Sequence, residues 1–281
     1  MTLLKERLDV LLTRLGYFES REKAKAAVMA GLVYVDKQLC DKAGTPVKET
    51  ALIEIKQDLC PYVGRGGLKL EKALQQFDLD LKGCTAVDIG ASTGGFTDCM
   101  LQKGAAKVYA IDVGYGQLHY KLRNDPRVVN MERVNVRYLD PDRINEEIDF
   151  ISIDVSFISV NLVFPVAAQL LKEGGTVVCL IKPQFEAGRN QVGKHGVVKE
   201  KYVHVEVIRK VMEYGENCGL KTEGLTWSPV TGAKGNIEYL ILLKKNREAS
   251  SEIIDGKAVV DSAFNYFSGK ENPAETSVLS R

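Results

Sequence analysis

The sequence predicts an α/β fold with a doubly wound, mostly parallel sheet, preceded by a smaller α+β unit. From about residue 84 to residue 245, apolar runs of strand length alternate with segments of helical period. The first run leads directly into a glycine-rich turn and a helix, as the first unit of such a sheet does. We therefore expect one large sheet with helices on both faces.

The same periodicity predicts the individual elements of this sheet. Strands are expected near 84–90, 107–112, 128–130, 149–154, 175–182, 223–230 and 237–244. Helices are expected near 94–104, 115–124, 158–172 and 201–219. After residue 246 the chain is polar and weakly patterned, so we expect only a short helix near 258–267 and disorder in the last dozen residues.

The pattern divides the chain into four parts. Residues 1–60 form the α+β unit, residues 61–82 a linker and a first helix, residues 83–246 the α/β domain, and residues 247–281 a tail. In the linker, Gly64-Arg65-Gly66-Gly67 is expected to be a flexible connector before a helix from Leu68 to Phe77.

Two helices and two strands are expected in the first 60 residues. Leucines at positions 4, 8, 11, 12 and 15 follow helical spacing, and Gly16 ends that helix. Ser20 is expected to cap a second helix that stops at Gly31. Residues 32–36 and 52–55 alternate like strands, so this unit has the ingredients of a small independent core.

Composition limits the classes of protein to which the chain can belong. With 38 basic and 37 acidic residues among 281, any argument for nucleic-acid binding must come from local clusters of charge. No apolar run approaches the roughly 20 residues of a membrane-spanning helix, and Met1 to Arg14 mixes charges with leucines, unlike a signal peptide. The six cysteines are scattered without a C-x-x-C pair. We expect a cytoplasmic protein with reduced thiols and no metal site.

The glycine-rich turn after the first core strand carries the strongest local signal. Three residues separate Gly90 from the Gly94-Gly95 pair, a wider spacing than that of a dinucleotide-binding turn. Asp88, near the end of the strand, would repel a pyrophosphate but would suit the sulfonium and ammonium groups of S-adenosylmethionine. Asp112 ends the next strand, where a ribose diol would lie. The expected cofactor-binding residues are Asp88, Gly90, Ser92, Gly94, Gly95, Phe96 and Asp112.

The pattern D-x-G-x-x-x-G-G-F, followed by an acid on the second strand, resembles the FtsJ-type class I methyltransferases. This resemblance implies a seven-stranded sheet whose last strand runs antiparallel. Residues 3–245 as a whole resemble the TlyA family, whose members are named both as ribosomal RNA 2′-O-methyltransferases and as hemolysin A. The resemblance therefore implies S-adenosylmethionine as the cofactor and ribosomal RNA or ribosomal subunits as partners.

The FtsJ resemblance also implies a catalytic tetrad of two lysines, an aspartate and a glutamate. Matching motif contexts give Lys69, Asp154, Lys182 and Glu238. The carboxyl ends of parallel strands meet at one crevice, and an antiparallel last strand starts at that edge, so these residues can converge. Lys182 is expected to contact the ribose 2′-hydroxyl, Asp154 to orient Lys182 and Lys69, and Glu238 to hold the far side. A lysine can accept a proton only as the neutral amine, which burial and neighbouring cations favour.

The residues around Asp154 argue against other methyl acceptors. Base amino-methyltransferases carry N/D-P-P-Y at this point, whereas this chain has Asp154-Val155-Ser156-Phe157. Methylation of a base carbon needs a thiol nucleophile, and no cysteine adjoins Asp154. Two alternatives stay open: a membrane-acting hemolysin, and an RNA-binding protein whose methyltransferase domain only senses cofactor.

Residues 3 to about 56 resemble the RNA-binding domain first seen in ribosomal protein S-four. The landmarks include Arg7-Leu8-Asp9, Ser20-Arg21 and Val33-Tyr34-Val35. Arg21 and Lys25 fall one helical turn apart, opposite an apolar face, and such a face can contact phosphates without reading sequence. The expected RNA-binding residues are Arg7, Arg21, Lys23 and Lys25.

Overall fold

The structure, a computed structural model, describes residues 5–29, 31–55, 60–246 and 254–269. The chain divides into two compact units, Met1–Leu59 and Cys60–Arg281, which we take separately. The finer division of the chain at residues 60, 82 and 246 stays a prediction. Leu4 and the last dozen residues, for which a helical position and disorder are expected, lie outside the described residues. The helix expected from Leu4 begins only at Leu8, because Lys5–Arg7 form a strand that pairs with residues 46–48.

The small unit contains two helices packed on short antiparallel strands. Its elements are β1 (Lys5–Arg7), α1 (Leu8–Arg14), α2 (Arg21–Met29), β2 (Val33–Val35), β3 (Gln38–Leu39), β4 (Pro46–Lys48) and β5 (Ile53–Ile55). Strand β1 pairs with β4, and β2 pairs with both β3 and β5. Leu8, Leu11 and Val28 are buried in the shared core. Ser20 caps α2 as predicted, because its Oγ accepts a hydrogen bond from the Lys23 amide at 3.2 Å.

The large unit alternates strands and helices. Its elements are α3 (Gly66–Gln76), β6 (Thr85–Ile89), α4 (Gly95–Gln102), β7 (Lys107–Asp112), α5 (Tyr120–Arg123), β8 (Val128–Glu132), β9 (Ile148–Ile153), α6 (Phe164–Leu170), β10 (Leu171–Ile181), α7 (Pro183–Glu186), α8 (Lys201–Asn217), β11 (Leu220–Trp227), β12 (Tyr239–Lys245) and α9 (Gly256–Phe267). The short helix that the sequence predicted near 258–267 corresponds to α9.

The strands of the large unit form one sheet in the order β11-β12-β10-β9-β6-β7-β8. The neighbours from β10 to β8 pair in parallel. Strand β12 runs antiparallel to both of its neighbours, β10 and β11. The predicted Rossmann-like, seven-stranded and mostly parallel sheet is therefore confirmed. This order brings the ends of β6, β7, β9 and β10 and the start of β12 to one edge of the sheet.

Both faces of the sheet carry a buried core, because consecutive residues of a strand point to opposite faces. Ile151 of β9 and Val177 of β10 pack with Phe164 of α6 on one face. Their chain neighbours Phe150 and Val178 belong to the core on the other face, which also contains side chains of α3 and α4. The sheet is thus covered on both sides, and its carboxyl edge is where polar side chains can meet.

The glycine-rich segment before α3 is not the flexible connector that the sequence predicted. Gly66 and Gly67 begin α3, and a Cβ at Gly67 would lie 2.3 Å from the Tyr62 ring. A Cβ at Gly95, the first residue of α4, would lie 2.9 Å from the Gly67 amide nitrogen. Glycine is therefore needed because α3 packs tightly on Tyr62 and on the turn before α4.

Two helices beside the carboxyl edge are shorter than the sequence predicted. The helix expected over 115–124 is reduced to α5, because Gly116, with φ of +70°, lets the chain turn before the helix starts. The helix expected over 158–172 begins only at Phe164, with Pro165 in its first turn, and the chain is already in β10 at Leu171. The residues before α5 and before α6 that are not helical lie along the edge where the strands end.

Candidate active site

The turn between β6 and α4 requires glycine at two positions. Gly90 has φ of +88°, and a Cβ there would lie 2.4 Å from the carbonyl oxygen of Asp154. Gly94 has φ of +95°, and a Cβ there would lie 2.2 Å from the Leu122 side chain of α5. The backbone of this turn therefore lies directly against the end of β9 and against α5, and a larger residue would displace it.

Asp112, the last residue of β7, holds the same turn. Its Oδ2 accepts a hydrogen bond from the Ser92 amide at 2.8 Å, and its Oδ1 accepts one from the Gly114 amide at 2.6 Å. The Ser92 hydroxyl also donates to Gln117 Oε1 at 3.3 Å. A carboxylate has about four acceptor positions, so Asp112 can still accept hydrogen bonds from two further hydroxyl groups.

A cavity of about 400 Å³, which we call the nucleoside cavity, opens where β6, β7 and β9 end. Asp112 and Asp154 lie on its wall together with four valines, Val113, Val134, Val136 and Val155. Apolar walls with a few convergent polar groups are typical of small-molecule sites. The sequence did not predict the valines as site residues, although Val113 directly follows Asp112 at the strand end.

Asp88 does not face this cavity, which corrects the expectation that its carboxylate meets a cationic ligand. The residue is fully buried. It accepts hydrogen bonds from Thr97 Oγ1 at 2.6 Å and from Ser152 Oγ at 2.9 Å. Burial raises the pKa of the Asp88 carboxyl to about 6, against the lowering effect of these two hydroxyls. Asp88 therefore supports the turn from below by joining β6 to α4 and β9.

We expect Asp88→Asn to remove a pH dependence of stability. Between about pH 4 and pH 6 the folded chain holds a proton on Asp88 that the unfolded chain has released. The free energy of unfolding of the wild type should therefore fall by about 2–3 kcal/mol, relative to the variant, as pH rises across this window. Urea unfolding of both proteins at pH 4.5 and pH 7 measures the difference. Parallel pH dependences would contradict the assignment.

Lys182, directly after β10, contacts two side-chain oxygen atoms among the residues that the structure describes. Its Nζ lies 2.5 Å from Asp154 Oδ1 and donates a hydrogen bond to Ser156 Oγ at 2.8 Å. The side chain of Lys182 is 10% exposed and that of Asp154 is 21% exposed. Ser156 was missed as a site residue by the sequence reasoning, which treated it only as part of a motif.

Lys69 and Glu238 form a second ion pair. Lys69 Nζ donates to Glu238 Oε2 at 2.6 Å, and the Glu238 side chain is 2% exposed. A Cβ at Gly232 would lie 1.9 Å from Glu238 Oε1, so the loop between β11 and β12 encloses this carboxylate. The sequence predicts that Asp154 orients Lys69. In the structure, Lys69 instead forms an ion pair with Glu238.

A second cavity of about 380 Å³, which we call the acceptor cavity, lies beside the first. Lys69, Gly232 and residues 64–66 are part of its wall. Gly90, Ser92 and Asp154 line both cavities. The four predicted tetrad residues thus form two ion pairs at one sheet edge, and Asp154, the partner of Lys182, stands where the two cavities meet.

In the small unit, a buried carboxylate joins two of the predicted RNA-binding residues. Asp9, with a side chain 2% exposed, contacts Arg7 Nη2 at 3.0 Å and Arg21 Nε at 2.9 Å. Hydrogen bonds from Arg7 and then Arg21 lower the pKa of the Asp9 carboxyl to about 2. Both arginines are about half exposed and face solvent next to each other.

The other two predicted RNA-binding residues lie on the exposed side of α2. Lys23 pairs with Glu19, and both side chains are mostly exposed. Lys25 is exposed, while Ala24 and Val28 on the opposite side of the helix are fully buried. The predicted division of α2 into an apolar side and a basic side is therefore present.

Within residues 5–29, 31–55, 60–246 and 254–269, no cluster of three or more potential metal ligands occurs, and all six cysteines are free thiols. Across the same part of the chain, none of the helices has the length and apolarity needed to cross a membrane. His204 is fully buried and bonds Val198 O at 3.0 Å and the Tyr239 hydroxyl at 2.9 Å, so it belongs to the core.

Comparison with protein-family models assigns the description FtsJ-like methyltransferase to residues 62–245 and S4 domain to residues 6–53. The chain belongs to the FtsJ-like methyltransferase family. The match to this family covers β6 to β12 and α3, and so includes both ion pairs and both cavities.

Relatives of this FtsJ-like methyltransferase align along most of its length. A candidate rRNA methyltransferase of Bacillus subtilis, YqxC, is 50% identical over 86% of this chain and 87% of its own. The 16S/23S rRNA (cytidine-2′-O)-methyltransferase TlyA of Mycobacterium tuberculosis is 38% identical over 93% of this chain and 97% of its own. The solved structure of a candidate hemolysin from Streptococcus thermophilus is 46% identical, with a TM-score of 0.77 over 96% of this chain and 99% of its own.

FtsJ-like methyltransferases take the methyl group from S-adenosylmethionine, and the residues of the nucleoside cavity fit that cofactor. Asp112 keeps acceptor capacity for the two ribose hydroxyls. The valines supply apolar walls for a purine ring. Asp154, at the border of the two cavities, supplies a carboxylate near which a sulfonium cation is favoured.

Proposed function

We propose that this FtsJ-like methyltransferase transfers a methyl group from S-adenosylmethionine to a ribose 2′-hydroxyl of ribosomal RNA. The observation that carries the proposal is the Lys182–Asp154 ion pair, whose Asp154 lines both the nucleoside cavity and the acceptor cavity. The names of the relatives support the substrate, since the TlyA proteins are described as rRNA cytidine-2′-O-methyltransferases. We also propose a cytoplasmic location, which is consistent with ribosomal RNA as the substrate.

The proposed chemistry assigns one task to each ion pair. The bound cofactor supplies an electrophilic methyl group on a sulfonium. The 2′-oxygen must lose its proton as it takes up this methyl group, and Lys182 Nζ in its neutral form accepts that proton. Asp154 fixes Nζ at 2.5 Å and stabilises the ammonium that results.

The second ion pair, Lys69–Glu238, lies at the acceptor cavity. Lys69 lies on the wall of this cavity, and Glu238 holds its ammonium from behind at 2.6 Å. An ammonium in this position can donate a hydrogen bond to a ribose or phosphate oxygen without leaving Glu238, because a lysine has three N–H donors. We assign Lys69 and Glu238 to the placement of the RNA and Lys182 and Asp154 to the proton transfer.

The decisive experiment is methyl transfer from tritiated cofactor to purified ribosomal RNA and ribosomal subunits, followed by digestion to nucleosides. We expect the label in 2′-O-methylnucleosides. Label in base-methylated nucleosides, or no transfer to any ribosomal substrate, would overturn the proposal. Mapping of 2′-O-methyl positions in a strain that lacks the gene would then identify the nucleotide, and the transfer assay with the two purified substrates separates free RNA from assembled subunits.

We further propose that the S4 domain supplies RNA affinity through the basic side of α2. Lys23→Glu with Lys25→Glu should weaken RNA binding and reduce the slope of log affinity against log salt by about 2, because each lysine is assigned one phosphate. These positions are chosen because both side chains are exposed, whereas Arg21 is tied to the buried Asp9.

The control for this prediction is Glu22→Lys, which changes an exposed residue of the same helix in the opposite direction of charge. It should hold or raise RNA affinity. Melting temperatures close to that of the wild type establish that the variants are folded. Equal RNA affinity of the double variant and the wild type would refute the role of α2.

A further inference from the structure

The Ser156 hydroxyl is one of the oxygen partners of the Lys182 side chain. Nζ has Asp154 Oδ1 at 2.5 Å and Ser156 Oγ at 2.8 Å as oxygen partners. The lysine side chain is only 10% exposed, so the space around its terminal nitrogen is restricted. The partners of Nζ therefore determine whether a hydrogen or the lone pair of the nitrogen points towards a third group.

A count of hydrogens gives that direction. A neutral lysine amine has two N–H groups and one lone pair in a tetrahedral arrangement. When Ser156 accepts one N–H in a hydrogen bond and the Asp154 carboxylate, an ion-pair contact at 2.5 Å, attracts the other, the lone pair points in the one remaining direction. With Asp154 alone, the amine could rotate about its Cε–Nζ bond and present a hydrogen in place of the lone pair.

The loop that carries Ser156 is anchored at both ends. At its start, the Asp154 amide donates to Ile89 O at 2.9 Å. At its end, Glu186 accepts hydrogen bonds from Ser159 Oγ at 2.7 Å and from the Val160 amide at 2.8 Å. Because Glu186 belongs to α7, which directly follows Lys182, this contact ties the Ser156 loop to the segment that carries the lysine.

Ser156 itself has few structural duties. The residue is exposed on the wall of the nucleoside cavity, and among the residues that the structure describes its hydroxyl accepts a hydrogen bond from Lys182. The hydrogen bonds of Asp154, Ser159 and Val160 already fix the loop, so the Ser156 hydroxyl adds little to stability. Its contact with Lys182 therefore points to a role in the function of that lysine.

We propose that Ser156 is a positioning residue that aims the Lys182 nitrogen at the acceptor hydroxyl. This inference rests on the proposed function, in which Lys182 accepts the proton of the 2′-hydroxyl. Ser156 acts through Lys182, so its loss should slow the chemical step and leave the binding of both substrates intact. The hydroxyl, rather than the size of the side chain, is the required feature.

The test compares Ser156→Ala with Ser156→Thr in single-turnover methyl transfer at saturating RNA and cofactor. Ser156→Ala should lower the rate by about 10- to 100-fold, the range expected when a reacting group is held in the wrong orientation. The dissociation constants for cofactor and RNA and the melting temperature should stay close to those of the wild type. Ser156→Thr retains a hydroxyl and should restore most of the rate.

Two further variants separate the possible failures. Ser159→Ala removes a hydroxyl of the same loop that bonds Glu186 and not Lys182, and it should slow transfer less than Ser156→Ala. Lys182→Ala tests the proposed function itself. If Lys182→Ala is inactive but Ser156→Ala reacts like the wild type, or is impaired only through weaker cofactor binding, the positioning role is wrong. If Lys182→Ala stays active, the assignment of the proton acceptor fails instead.

Discussion

Replacement of Lys182 by alanine is expected to lower the rate of methyl transfer by about 100- to 1000-fold, the usual loss for one preorganised group of this kind. Binding of cofactor and RNA should survive, because the Gly90 turn, Asp112 and the basic side of α2 do not depend on this ammonium. The measurement is single-turnover transfer of tritium, with cofactor affinity taken from calorimetry. Lys182→Arg should fail as well, because a guanidinium stays protonated and cannot accept the proton.

A matched control lies at the other end of the same two strands. Lys172 of β10 pairs with Asp149 of β9, as Lys182 pairs with Asp154, but its side chain is 40% exposed and far along the strand from the carboxyl edge. Lys172→Ala should leave the transfer rate near that of the wild type. A residual rate above about a tenth of the wild type in Lys182→Ala is too high for such a group, and the acceptor would then more naturally be a base atom.

Replacement of Gly90 by alanine is expected to weaken binding of S-adenosylmethionine by about 100-fold, equivalent to about 2.7 kcal/mol. A Cβ at this position would lie 2.4 Å from the Asp154 carbonyl oxygen, and the φ of +88° is itself unfavourable for alanine. The turn must move away from β9, and the nucleoside cavity, which Gly90 and Ser92 line, changes shape when it does. Titration calorimetry with the cofactor measures the loss directly.

Gly83→Ala separates the steric effect from backbone strain. Gly83 also has a left-handed φ, of +78°, but a Cβ there would meet no atom within 4 Å. This variant should lose some stability and keep its affinity for the cofactor. If Gly90→Ala binds cofactor as well as Gly83→Ala does, the turn does not form the cofactor site.

The sequence was most informative where a pattern has one physical cause. Apolar runs of strand length, separated by segments of helical period, predicted the sheet, because a strand buried on both faces must be apolar along its length. It was least informative about the ends of α5 and α6. Gly116 and Pro165 can stand inside, before or after a helix, and only the packing at the carboxyl edge decides which.

The sequence predicted which residues lie at the site better than it predicted which of them contact each other. Motif context placed Asp154 and Lys182 at neighbouring strand ends, and the structure brings them into contact. The same reasoning could not show that Lys69 would pair with Glu238, since that choice depends on the loop around Gly232. It also could not show that Asp88 points inward, because a strand residue near a turn can face either side of the sheet.

The shared carboxylate of Asp9 has an entropic consequence for the S4 domain. Arg7 uses Nε and Nη2, and Arg21 uses Nε, on this one side chain, which leaves the remaining guanidinium donors of two half-exposed side chains. An arginine free in solution loses about 2 kcal/mol of rotamer freedom when it is fixed on a phosphate. Here much of that freedom is already lost in the unbound protein, so an incoming phosphate meets donors that are arranged in advance and gives up less conformational entropy on binding.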